Sequence, residues 1–386
     1  MTLTFLNLVV VTGILVGLIQ GSVEAERRQY TSDLLISALD TKSYIENSPQ
    51  IISFLRSLPQ VSALSPRYLS AGQLEANYQT RTKASDKPNT AVAQMEGIDP
   101  TAENQLTGLS KYIISGQYLS PTDVDQVLLG SLLVKNYSPV ENPGFTTLEN
   151  VAPGTKILLT VNGVTRELTV KGILKSKVNE IGQRVYMVDS QLRNLLGRED
   201  NNVGEIAVSL KPGVDPTDIK KVLISSGFDS KAKIRTYVDA QPKFLQDIKN
   251  TFTLLGNVIS SVGLVVASIT IFIVIFINAL TRRKFIGILK GIGINGQAII
   301  ISYILQSLFY ALCGALIGMG IVYFILQPSI AKHPINFPFS DGILVAPFNE
   351  TLLRAYLLMG AAIFAGLIPA RMIVRRNTLD SILGRK

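Results

Sequence analysis

The chain has 386 residues, 47% of them hydrophobic and 17% charged, with a mean hydropathy of +0.31 and a net charge of +9. That balance fits a protein that is part membrane and part soluble. The charge distribution argues against a nucleic-acid-binding face: residues 21–250 hold 26 Lys and Arg against 25 Asp and Glu, while the rest holds 11 against 3, beside apolar runs.

Residues 3–19 form an apolar run of about the minimum length for a membrane span. The basic n-region of a signal peptide is missing and Gly21 to Ala25 makes only a passable cleavage site, so an uncleaved first span, residues 1–23, is expected. The abrupt start fits either a chain preceded by further sequence or a very short cytoplasmic end. Residues 24–250 read as a soluble α+β domain. The stretch to Leu58, with Leu34, Leu35, Ala38, Leu39, Ile45, Ile51, Ile52 and Leu55 apolar, is expected to be helical and broken by Pro49. Residues 80–89 read as a loop. Strands are expected at 91–98, 127–129, 155–161, 166–174, 184–188, 205–210 and 234–238, with Asn162-Gly163 marking a hairpin. Asp99-Pro100 and Asp215-Pro216 each open a helix, the Asp as cap. Strands and helices mixed without a βαβ rhythm argue against a doubly wound nucleotide fold.

The pattern then turns helical and runs into a second span, 251–280, longer than the roughly 20 residues that cross the hydrocarbon. Residues 281–297 carry Arg282, Arg283, Lys284 and Lys290 without an acid. Ile286, Ile288, Leu289 and Ile292 lie mostly on one face of a possible helix, an arrangement suited to a membrane surface. A third span, 298–326, has Gly314 and Gly318 at the spacing of close helix contacts. A Pro-rich outer loop, 327–350, precedes a fourth span, 351–374, and a basic tail, 375–386. Arg354 is close enough to a span end to snorkel to the headgroups. The cations of 281–297 and of the tail place both on the cytoplasmic side, with both termini, and put the 24–250 domain and the outer loop outside. The fold expected is thus a membrane protein with four transmembrane α-helices and a large extracytoplasmic α+β domain between the first and second.

Little here points to catalysis. A P-loop, GxxxxGK followed by Ser or Thr, does not occur. Gly291-x-Gly293-x-x-Gly296 matches a dinucleotide fingerprint but follows a span and a basic segment instead of a strand, so it reads as a helix ending. Cys313 stands alone in an apolar run, which leaves no intrachain disulfide, and His333 has no second His or Cys nearby for zinc and no evident nucleophile to serve. No catalytic or metal-binding residue is therefore assigned.

Three local patterns add to the topology. Lys284-Phe285-Ile286-Gly287-Ile288-Leu289-Lys290-Gly291-Ile292-Gly293 is the first. Gly97-Ile98-Asp99-Pro100, followed by Gly116 and Leu128-Leu129-Gly130, is the second. Pro369-Ala370-Arg371 with Thr378-Leu379-Asp380-Ser381-Ile382-Leu383 is the third. Together they resemble the FtsX-like, MacB/LolC-type ABC transporter permeases, the type VII or mechanotransmission family, over nearly the whole chain. Phe285 stands where that family often has Glu, and the family's usual amphipathic helix ahead of the first span does not precede this one. The resemblance implies a permease subunit without its own ATPase domain. It would bind no cofactor and would act with a separate cytoplasmic ABC ATPase that carries ATP and Mg. The implied ATPase-coupling residues are Arg283, Lys284, Phe285, Ile286, Gly287, Ile288, Leu289, Lys290 and Gly293. Arg371, Arg375 and Arg376 are further cytoplasmic contacts. A homodimer, or a heterodimer with a related permease, is expected in the inner or plasma membrane, with a periplasmic adaptor as a further candidate partner. Such a complex would export or extract a lipoprotein, lipid, peptide or drug-like molecule. The rival reading is an FtsX-like activator of cell-wall hydrolases with no transported substrate.

Overall fold

The structure, a computed structural model, describes residues 1–81, 87–138, 146–241, 243–337 and 340–375. The chain forms two compact units, Ser22–Pro242, and Met1–Gly21 with Lys243–Lys386.

Among the described residues, the first unit is built on one mixed sheet. Its strands are β1 (Leu34–Ser37), β2 (Val61–Glu75), β3 (Thr90–Ile98), β4 (Ile113–Gly116), β5 (Gln126–Gly130), β6 (Lys156–Val161), β7 (Val164–Leu174), β8 (Arg184–Val188), β9 (Glu205–Leu210) and β10 (Lys233–Thr236). The pairing order is β10-β1-β9-β2-β3-β8-β5-β7-β4, and β6 joins β2 to β7. The path β2-β3-β8-β5-β7-β6 therefore returns to its start. A closed ring of this kind has no exposed edges along its circuit. Leu74, Met95, Leu129, Leu159, Val170 and Val185 are fully buried in the unit's main core, and burial of side chains of this size is worth about 1.5–3 kcal/mol each. At the β6–β7 turn Asn162 and Gly163 take φ of +48° and +81°, consistent with the left-handed turn that the dipeptide favours.

The helices of this unit are short: α2 (Ser48–Ser57), α3 (Pro100–Thr107), α4 (Asn179–Gly182), α5 (Asp189–Leu195) and α6 (Pro216–Ser225). Asp99 accepts hydrogen bonds from the backbone N–H groups of Thr101 and Ala102, and Asp215 accepts one from Thr217, as N-caps do. Two expectations are corrected. Leu34 and Leu35 lie in β1, between β9 and β10, and are not helical. All four residues of β1 are buried, so its run is apolar without alternation and imitates a buried helix. Pro49 does not break a helix; it sits in the first turn of α2, where its missing N–H has no partner to lose. The expected loop at 80–89 lies partly outside the described residues.

The second unit holds four helices long and apolar enough to cross a membrane. They are α1 (Thr2–Glu26), α7 (Lys243–Thr281), α9 (Gly296–Ile321) and α11 (Phe348–Val374), with α8 (Arg283–Gly291) between α7 and α9; residues 22–26 of α1 fall in the first unit. The third helix runs past the expected end of its span. A π-turn, Val322–Leu326, leads into α10 (Gln327–Lys332), because Pro328 sits in a first turn and is tolerated there. A hairpin of β11 (Ile335–Phe337) and β12 (Ser340–Gly342) follows.

In hydrocarbon, helices gain little from burying apolar surface, so close contact between small residues holds them together. Gly314 and Gly318 follow this rule: a Cβ at Gly314 would lie 2.5 Å from that of Met1, and one at Gly318 would run into the Phe5 ring. The same device in α1 is not read from the sequence above. There Gly13 and Gly17 lie directly beneath the backbone of residues 343–345, and the Val345 N–H donates to the Gly13 carbonyl at 3.1 Å. Thr12 adds a polar contact, 2.9 Å from the Ser260 hydroxyl of α7.

Candidate coupling surface

The basic segment between the second and third spans folds as α8 with a defined start and stop. Arg282 interrupts the helix after α7 with φ −92° and ψ 11°. At the other end Gly293 takes φ +98°, a conformation strained for any other residue type. The Gly293 N–H donates to the Lys290 carbonyl at 3.1 Å and the Ile294 N–H to the Leu289 carbonyl at 3.0 Å. These two bonds make a Schellman ending, which requires Gly at this position. Asn295 then caps α9 by accepting from the Gln297 N–H at 3.0 Å. Gly293 thus serves helix termination.

The nine-residue helix sorts its side chains sharply. Ile286 and Gly287 are buried, and Ile286 belongs to the apolar core of the helical unit. Phe285 is 69% exposed, Ile288 50%, Leu289 37% and, just beyond the helix, Ile292 72%. Ile286 therefore anchors the helix, and the apolar face left open consists of Phe285, Ile288, Leu289 and Ile292. Arg282 and Lys284 are exposed beside it. A groove of about 710 Å³ separates α8 from α9, lined by Arg282, Phe285, Leu289, Ile294, Tyr303 and Gln306 among others.

The two lysines part company. Lys290 donates from Nζ to the carbonyl of Val374, the last residue of α11, at 2.9 Å. A cation at this point satisfies an unpaired helix carbonyl and complements the negative end of the helix dipole. It ties α8 to the fourth span. A Cβ at Gly296 would lie 2.9 Å from Val374, so the start of α9 meets the same helix end. Arg371 and Arg375 are exposed, and Arg376 lies outside the described residues. The surface brings together Arg282, Lys284, Phe285, Ile288, Leu289 and Ile292; Gly314 and Gly318 belong to helix packing. Among the described residues no group of three or more His, Cys, Asp or Glu side chains could hold a metal ion.

Two family models match the sequence. The MacB-like periplasmic core domain matches residues 8–225, and the FtsX-like permease C-terminal domain matches residues 257–378. The chain belongs to the MacB/FtsX-type ABC transporter permeases. This permease is a membrane protein with an extracytoplasmic α+β domain between its first and second spans. It is 24% identical over 225 residues to an uncharacterized ABC transporter permease of Methanocaldococcus jannaschii, covering 57% of this chain and 55% of that protein. It is 21% identical over 304 residues to the macrolide export ATP-binding/permease protein MacB of Campylobacter jejuni, covering 76% and 46%. The chain thus spans about half the length of the curated relatives it matches. Among solved structures, the periplasmic region of MacB from Actinobacillus actinomycetemcomitans aligns with a TM-score of 0.39 and 19% identity, over 58% of this chain and 96% of that one. The extracellular domain of the transporter YknZ from Gram-positive bacteria aligns with a TM-score of 0.33 and 12% identity, over 53% and 98%.

Proposed function

We propose that this permease converts ATP hydrolysis by a separate cytoplasmic ATPase into movement of its extracytoplasmic domain, for export or extraction of a substrate. The observation that carries the reading is α8, which leaves Phe285, Ile288 and Ile292 open on an amphipathic helix whose other face is buried. An open apolar patch rimmed by cations is a docking surface for a partner with an apolar groove and an acidic rim. Two copies, or this chain and a related permease, each bind one ATPase, which carries the ATP and Mg. Closure of the ATPases displaces α8 at the cytoplasmic face. The displacement passes to α7 across the single residue Arg282 and to α11 through Lys290. Helix α7 has 39 residues and no break, so at 1.5 Å per residue it is roughly 58 Å long, about twice the hydrocarbon thickness. Such a helix carries movement out of the membrane as a rigid lever, and no channel for the substrate is needed.

The test is Phe285→Asp and Ile292→Asp, made separately in the full chain. Each puts a carboxylate into the apolar contact, and ATPase co-purification from native membranes falls by about tenfold or more. Val124→Asp, on an exposed side chain of the sheet domain, leaves it unchanged. Wild-type co-purification and export in both α8 variants would remove this helix as the coupling element. Neighbouring genes separate the outcomes of coupling: an adaptor subunit indicates efflux, a second permease indicates lipoprotein release, and a cell-wall hydrolase indicates activation without transport.

A further inference from the structure

The first membrane helix enters the sheet domain through an unusual segment. After α1 ends at Glu26, Arg27–Thr31 continue as a π-turn before β1. Tyr30, in this turn, is buried, and its ring lies near two guanidinium groups, 5.0 Å from that of Arg67 and 4.6 Å from that of Arg184. Its hydroxyl donates to Glu205 at 2.8 Å and accepts from Arg184 Nη2 at 2.7 Å, while its backbone carbonyl accepts from Arg67 Nη2 at 2.9 Å. Arg67 forks onto Glu103 at 2.9 and 2.8 Å and pairs with Glu96 at 3.2 Å; Arg184 pairs with Glu96 at 2.6 Å. The charged members come one each from β2, β3, β8, β9 and α3, and all are buried. Four of these elements are successive neighbours in the sheet.

A second set of contacts joins this entrance to the exit. Arg27 donates to Asp33 from Nε and Nη2 at 2.9 and 2.6 Å, and its guanidinium lies 4.5 Å from the Tyr237 ring. The Asp33 carbonyl accepts from the Tyr237 N–H at 3.1 Å, and β1 pairs with β10 along its whole length. Tyr237 is six residues before the start of α7.

A buried network of five charged groups is a poor way to gain stability, since a well-packed apolar cluster does as well or better. What it supplies is stiffness, because sliding any member out of register leaves a buried charge unpaired. We infer that the Tyr30 network is the joint that carries movement of the first membrane helix into the sheet, with Arg27, Asp33 and Tyr237 making the entrance and exit move together. This role rests on the coupling function proposed above. Tyr30 acts as a positioning residue: it grips four adjacent strands through Arg67, Glu96, Arg184 and Glu205.

The test is hydrogen exchange on the full chain in lipid nanodiscs with the ATPase that co-purifies with it. Tyr30→Phe keeps the ring and the backbone carbonyl and removes only the hydroxyl. Without nucleotide, exchange rises about tenfold in β8 and β9, whose Arg184 and Glu205 the hydroxyl binds, and the β6–β7 hairpin is unchanged. With ATP and Mg, the variant hydrolyses ATP at the wild-type rate and loses most of the nucleotide-induced exchange change in β2, β3, β8 and β9. A rise confined to the π-turn, or a full nucleotide response in the variant, overturns the joint. Arg27→Gln leaves the buried network intact and is the second variant: it loosens β10 without loosening β2, and equal protection of β10 in this variant overturns the link between entrance and exit. A wild type that hydrolyses ATP without any exchange change in its sheet domain refutes the coupling function itself, and the joint with it.

Discussion

The sheet domain and the helical unit place the same residue types in opposite settings. In β8 every side chain is buried, including Arg184, and the domain's centre holds Arg67 and Glu96 with almost no exposure. Helix α7 instead exposes Val258, Val262, Val266, Ile269, Ile273 and Ile277 along its length. In water that pattern would be untenable for a 39-residue helix, and in lipid it is expected. Around α8, Arg282 and Lys284 stay at the surface next to open apolar side chains. One unit thus buries a small charged network among its strands; the other displays apolar groups and holds itself together through small residues and a few polar contacts.

The comparison is broken most directly by removing a cation from each side. Arg67→Ala leaves Glu96 and Glu103 buried without their guanidinium and costs the sheet domain about 3–5 kcal/mol, read as protease resistance of the full chain in urea. Burial already pushes the Glu96 carboxyl above its ordinary range, with Arg184 and Arg67 pulling it back, so loss of one guanidinium pushes it higher still. Lys284→Ala, at an exposed site, changes stability by less than about 0.5 kcal/mol. Similar small losses from both variants would mean that the buried network is not stiff. Small residues sharpen the other half. Gly318→Leu drives a side chain into Phe5, and overpacking of this kind costs about 1–3 kcal/mol. Gly360→Leu, where a Cβ would meet nothing within 4 Å, leaves the thermal transition of the detergent-solubilised protein unchanged. Equal behaviour of the two would show that the α1–α9 contact does not hold the helices together.

Signals that act within a few residues were legible in the sequence. Apolar runs marked the four long helices, Asn162-Gly163 the hairpin, and Asp99 and Asp215 two helix starts. What escaped depends on tertiary surroundings. Leu34 to Ser37 has no alternation because both faces of β1 are covered. Strand β2 was hidden by Pro66, which lies opposite Ile206 of β9 but just before Arg67, where the ladder with β3 begins, so it withholds no donor from that ladder. The Tyr30 network draws its members from positions up to 175 residues apart, beyond any spacing rule. In the coupling segment the composition was plain and the phase was not. Ile286 and Phe285 are neighbours, both apolar, and only packing shows that Ile286 points inward while Phe285 is open. The Gly13 to Gly17 spacing was available as a signal for the close approach beneath residues 343–345.

Lys290 gives the most specific effect, because it is a cation of α8 that, like Arg67 and Arg184 in the sheet domain, is matched within the fold. Its ammonium is committed to the Val374 carbonyl, and an amide carbonyl facing a charged donor is worth about 1.5 kcal/mol net. Lys290→Met keeps the apolar stem and deletes the charge. The end of α11 then frays, with hydrogen exchange faster by about tenfold at residues 373–375, while ATPase co-purification falls by less than in Phe285→Asp. A binding loss as large as that of Phe285→Asp, with no fraying, would make Lys290 a contact for the partner and not a tie between helices. The surface would then be wider than the open face of α8, extending to the side where α8 and α11 meet.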